Sequence, residues 1–136
     1  MRPGLVIASG ILVSVQAFGA QPGIEVHRGD DASLFGSCVP SLVAENKSAE
    51  TVDFLQVDVL FTLANGEQRD LELQSAYREG IVLPIAPGAK AVLKQHLDLS
   101  RALGVPCDQV KSRQVIGVLC QASGGGRCVS PVSTEP

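Results

Sequence analysis

The sequence predicts an all-β protein, an antiparallel β-sandwich of about seven short strands. Three observations carry this. Leu55, Val57, Val59, Phe61 and Leu63 share one parity while Gln56, Asp58 and Thr62 share the other, the period-two pattern of a strand with one buried face. Turn chemistry recurs at close spacing, most clearly at Asn65-Gly66 and Pro87-Gly88. No stretch carries the apolar periodicity of a long amphipathic helix, which leaves strands to supply both layers of the core. At 136 residues the chain is long enough for one core and too short for two.

The first segment stands apart. "MRPGLVIASGILVSVQA" has Arg2, an apolar run from Leu5 to Val15 and small residues at Val15 and Ala17, the layout of a secretory signal peptide. The expectation is a signal peptide over 1–17, with cleavage after residue 20 as the alternative, and a single β-sandwich domain over 18–136. The apolar run is too short to span a bilayer. "LFGSC" at 34–38 imitates a lipid-attachment box, but Arg28, Asp30 and Asp31 separate it from the apolar run.

Along the mature chain, Ile24 to His27 reads as one edge strand within a lead-in of Gly, Pro and charge. "CVPSLVAEN" reads as a strand that ends at the turn residues "NKSAET". The alternating strand to Leu63 follows, and Asn65-Gly66, each able to take positive φ, predicts a two-residue type I′ hairpin into Gln68 to Leu73. "SAYREG" is a looser crossing. "IVLPI" should be short and at an edge because Pro84 cannot donate to a ladder, and the Pro87-Gly88 turn then leads into "AKAVLKQHLDL". "SRALGVP" has room for one helical turn before Cys107. "QVIGVLCQA" at 114–122 is continuously apolar, as in a central strand covered on both faces.

Charge narrows the partner. Lys and Arg number 11 against 14 acidic residues, and losing Arg2 with the signal peptide takes the net charge from −3 to −4. That balance disfavours nucleic acid and anionic membrane surfaces as partners. Cys38, Cys107, Cys120 and Cys128 make an even number in an exported chain, which reads as two disulfides rather than zinc, since none forms C-x-x-C and neither His is close. Three pairings are open. Cys120 and Cys128 flank "ASGGGR", so a short loop can join them and leave Cys38 with Cys107; chain entropy would then contribute roughly 2.5 kcal/mol for the short closure and roughly 4 for the long one.

A resemblance bears on the fold. "VAENKSAETVDFLQVDVLFTLANGEQ", followed by "LPIAPGAKAVLKQHLDL", resembles small bacterial immunoglobulin-like and fibronectin-III-like domains: a strand ending in Asn, a long alternating strand, an Asn-Gly hairpin, then a Pro-Gly turn. With an exported chain of this length and a C-terminal strand-Cys-loop-Cys, it is similar to the IrmA family, the interleukin-receptor-mimic proteins of enterobacteria. The similarity runs from about Cys38 to Cys128. It implies a fibronectin-III-like fold, a homodimer that exchanges strands, and binding to other proteins in place of catalysis. It assigns no functional residue.

Chemistry is sparse. His96 and Asp98 share one strand face with Ser100 beyond, side by side rather than placed to relay a proton. His27, Asp30 and Asp31 in "HRGDD" lie together in a way that allows a cation, but adjacent loop carboxylates are ordinarily just solvated. The Arg28-Gly29-Asp30 tripeptide is short enough to arise by chance. "GGGR" lacks the Lys-Ser/Thr of a phosphate loop. Asn46-Lys47-Ser48 matches a glycosylation acceptor that a bacterial exported chain would leave bare. Tyr77, Arg78 and Glu79 read as a loop over the sandwich end.

The function expected is therefore an exported, periplasmic or secreted, non-catalytic protein-binding module without metal or cofactor, acting through homodimerisation and contact with another protein of unknown identity. An accessory subunit or chaperone holding a partner strand at a sheet edge is the alternative, and a small periplasmic hydrolase the remote one. Phe54 and Leu60, apolar on the outward parity of the long strand, are the expected interface residues, covered by a second copy or an exchanged strand. The alternative cover is the C-terminal tail, Val129 to Pro136, of the same molecule.

Overall fold

The structure, a computed structural model, describes residues 22–75, 77–78, 81–95 and 102–135. The expected signal peptide and cleavage sites lie outside them, as do His96, Asp98 and Ser100. The described strands are β1 (Ile24–Arg28), β2 (Ala32–Leu34), β3 (Ser37–Val39), β4 (Ser41–Asn46), β5 (Val52–Leu63), β6 (Gln68–Gln74), β7 (Tyr77–Arg78), β8 (Ile81–Val82), β9 (Lys90–Lys94), β10 (Val110–Ala122) and β11 (Val132–Thr134), with one 3-10 turn at Cys107–Gln109. The all-β expectation holds.

Seven strands form one mixed sheet in the order β10-β5-β6-β9-β4-β1-β11, curled nearly into a barrel. All its pairs are antiparallel except β11 against β1, where Val132, Ser133 and Thr134 lie beside Ile24, Glu25 and Val26. β1 is thus an inner strand and not the expected edge. The C-terminal tail does not simply fold back: residues 132–134 become the edge strand. Two small antiparallel pairs, β2 with β3 and β7 with β8, complete the set.

Curling gives the sheet an inside. Every second residue of β5 from Leu55 to Leu63 is buried, as the alternation requires, and Ile24, Val26, Leu42, Leu73 and Leu93 meet them from the other strands. Burying one such side chain contributes about 1.5–3 kcal/mol, so this row dominates the core energetically.

Turn chemistry is partly as expected. At Pro87-Gly88 the Ala89 N–H donates to the Ala86 carbonyl at 2.9 Å and Gly88 has φ 83°, a type II turn. At Asn65-Gly66 only Gly66 takes positive φ. Gly66 N–H donates to Leu63 O and Leu63 N–H to Glu67 O, while the Asn65 side chain accepts from Glu67 N–H. The hairpin is a three-residue loop ending on a left-handed Gly, not a type I′ turn, because the Asn65 amide satisfies the backbone without leaving the right-handed region.

β10 is the main correction. The apolar run belongs to a 13-residue strand at the sheet edge rather than its centre, with Ile116 and Val118 51% and 42% exposed. Register shifts at Val110/Ser112, Val115/Gly117 and Gln121/Ala122 break its flatness. Such bulges are how an apolar edge avoids uncontrolled pairing. The helical turn expected before Cys107 starts at Cys107 itself.

Candidate functional site

Four features of the chain bear on function: the outer row of β5, the β2–β3 hairpin, the closure of the barrel mouth and the disulfides.

On β5 the outward residues Phe54, Gln56, Asp58, Leu60 and Thr62 are all partly covered. Their neighbours explain it. Leu60 lies between Asp70 on β6 and Gln114 on β10; Phe54 is opposite Gln121, next to Leu119 on the same outer row. Gln56 Nε2 donates to Asp58 and accepts through its oxygen from Gln74. Phe54 and Leu60 thus sit in a mainly polar row, half-buried within one molecule. Beside them a shallow cavity of about 280 Å³ is lined by Asp58, Asp70, Glu72, Gln74, Gln95 and Ile116.

The hairpin was not foreseen. β2 and β3 reverse at Phe35-Gly36, where both residues have positive φ, 50° and 77°. This is the geometry of a type I′ turn, normally filled by Asn-Gly. Phe35 is 88% exposed, and Leu34 beside it is 36% exposed. Nothing local marks the site beyond Gly36.

The hairpin's base is firmly tied. Cys38 bonds to Cys107, the Cys38 N–H donates to Val105 O at 2.7 Å, and Ser37 Oγ accepts from Leu103 N–H and Gly104 N–H. Next to it, Asp31 receives both guanidinium nitrogens of Arg113 from β10 and one of Arg28 at 3.0 Å. Arg113 also lies over the Phe61 ring, 5.5 Å from its centroid, and its side chain is 7% exposed. Burial pushes the Asp31 pKa up, but the hydrogen bonds and charge of Arg113, helped by Arg28, outweigh it and hold the carboxyl below its ordinary value.

Asp31 is therefore committed to arginine. It comes within 4.8 Å of the Cys38 and Cys107 sulfurs, but these are bonded to each other and are not thiolate donors. His27 stands apart on an exposed strand face, 3.4 Å from Glu25 and 3.9 Å from Glu135. His27, Asp30 and Asp31 thus do not converge on one point, although Arg28 meets Asp31. In the Arg28-Gly29-Asp30 tripeptide, Arg28 turns towards Asp31, and Gly29 packs so closely on Ser41 that a Cβ would meet its Oγ at 2.6 Å.

Cys120 pairs with Cys128 and Cys38 with Cys107, so of the three possible pairings the short-loop one is present. Gly124 and Gly125, both at positive φ, make the tip of the loop. Asn46 plays a structural part that its glycosylation pattern hides. Fully buried, it donates to Glu50 O and Ile85 O and accepts from the backbone and hydroxyl of Ser48. Tyr77 and Arg78 form β7, paired with β8; Glu79 lies outside the described residues.

No family model matches the sequence, and no curated protein matches it. Among solved structures, the chain is similar to IrmA from Escherichia coli, at 14% identity and a TM-score of 0.52, over 84% of this chain and 92% of that one, a distant relation of fold.

Proposed function

We propose that the protein is an exported, non-catalytic protein-binding module that works as a homodimer and contacts another protein. The observation that carries this reading is the unused apolar surface: Phe35 at 88% exposure on the β2–β3 turn, and Ile116 at 51% and Val118 at 42% on the edge strand β10. Two disulfides, one closing a separation of 69 residues, support export to an oxidising compartment. The distant likeness of fold to IrmA agrees with the resemblance drawn from the sequence.

In this reading Phe54 and Leu60 are interface residues. Half-covered by neighbours on β6 and β10, they complete their burial against a second copy of the chain or a strand exchanged from it, with Ile116 and Leu119 alongside. The reading is tested by light scattering and by an activity panel on mature protein. A stable dimer without turnover of ester, peptide or phosphoester substrates is expected; a monomer that hydrolyses any of them would overturn it.

A further inference from the structure

Asp58, Asp70 and Glu72 bring three carboxylates to one outward face. Asp58 on β5 is directly opposite Glu72 on β6, and Asp70 follows two residues along on the same face. Like charges facing across a strand pair destabilise a sheet. Gln56 donates one hydrogen bond to Asp58, but among the described residues no Lys or Arg pairs with any of the three. Within the chain this charge is left unbalanced.

All three line the shallow cavity of about 280 Å³ beside the β5 row, and other features shape it. Ile116 is the extra residue of a β-bulge in β10, between Val115, opposite Val59, and Gly117, opposite Asp58. A bulge re-aims the residue it inserts, and Ile116 gives the cavity an apolar wall that is 51% exposed. Gly117 puts no side chain over Asp58, where a Cβ would come within 3.0 Å of Oδ2. On the β9 side Gln95 has a buried carbonyl oxygen, Oε1, that accepts no hydrogen bond. A buried acceptor without a donor destabilises the fold, and this one is independent of the carboxylates.

We propose that this cavity receives an arginine side chain of another protein, its guanidinium among the acidic oxygens and its methylene stem along Ile116. Three carboxylates and an unmet carbonyl oxygen call for positive charge and several N–H donors. A single metal ion fits poorly: among the described residues, the three ligand atoms drawn within 4.8 Å of one another belong to Asp31, Cys38 and Cys107, not to these carboxylates. A planar guanidinium with five donors spans spaced acceptors that a compact ammonium does not, and its aliphatic stem covers an apolar wall. A second copy is the poorer occupant, because meeting the cavity with the same face would set carboxylate against carboxylate. The inference rests on the reading that the chain contacts another protein, and it adds the chemistry of that contact.

The test is an NMR titration of isotope-labelled, mature, oxidised full chain with N-acetyl-arginine amide. Saturable millimolar binding is expected, with shifts centred on Asp58, Glu72, Gln95 and Ile116. Added salt should weaken it, and Asp70→Asn/Glu72→Gln should weaken it about fivefold or more, the loss of two accessible charge pairs. The same double variant should unfold at a higher temperature than wild type, since the facing like charges are gone, so its weaker binding is not a loss of folding. Absence of saturation, shifts scattered over the acidic surface, or equal binding of the neutral citrulline analogue overturns the inference. Equal binding of N-acetyl-lysine amide overturns the choice of guanidinium. Calcium binding at these residues without arginine binding would make this a metal site and also overturn it. A dimer without turnover leaves the reading above standing in each of these cases, whereas turnover of the ester, peptide or phosphoester panel overturns that reading whatever the titration gives.

Discussion

Arg113 and Asp31, 82 residues apart, form a two-pronged ion pair that ties the edge strand β10 to the loop after β1. It ties one end of the curled sheet where, among the described residues, no backbone ladder does. Arg113 reaches it across the Phe61 ring, so the guanidinium is packed as well as paired. Removing one partner leaves the other with a poorly solvated charge, and that asymmetry makes the pair testable.

Asp31→Asn should destabilise the protein by about 2 kcal/mol at neutral pH, below the cost for a fully buried pair because the site meets solvent on one side. The sign of the pH effect follows from the lowered carboxyl. Its contribution is complete above the ordinary value of 3.8 and is lost as pH falls through the lower folded value. Urea unfolding of both proteins from neutral to strongly acid pH checks this: the difference between them should shrink in acid. A constant difference would show that the carboxylate's charge is not what matters.

Asn46→Ala should cost roughly 3 kcal/mol, because the Ile85 carbonyl and the Ser48 donors lose their partner in the interior. Asn46→Asp should not rescue it, since a carboxylate keeps the acceptor and loses both amide donors. Chemical denaturation measures both; a near-neutral Asp variant would refute the assigned amide orientation.

Phe35→Asn should raise the thermal stability of the monomer by the equivalent of about 1 kcal/mol, the lower end of what a left-handed bulky residue costs. Calorimetry at a concentration below dimerisation isolates this from self-association. An unchanged or lower stability would mean that position 35 is not strained.

Mature protein should show no free thiol when denatured without reductant, and four free thiols would contradict the disulfide assignment. Replacing Cys38 and Cys107 by Ser should destabilise by roughly 4 kcal/mol, and replacing Cys120 and Cys128 by roughly 2.5, in the order of their loop lengths.

Much of this was legible in the residues, and unevenly so. β5 was plain because nine residues of alternation, from Leu55 to Leu63, leave one way to place a core. The Pro87-Gly88 turn was equally plain, as Pro presets φ at the first corner and Gly accepts the positive φ of the second. β10 was readable as a strand but not as an edge, because an apolar run looks the same whether neighbours or bulges protect it. The partial cover of Phe54 and Leu60 depends on Asp70, Gln114 and Gln121, whose positions follow only from register. Phe35 gave no local sign, since propensity argues against an aromatic at a left-handed turn position. The Arg113 to Asp31 pair likewise depends on the curl of the whole sheet.

Light scattering on mature, oxidised protein tests the account most directly. A mass of two chains, constant as concentration rises to high micromolar, is the result expected of a dimeric binding module. One chain's mass at the highest concentration would contradict it.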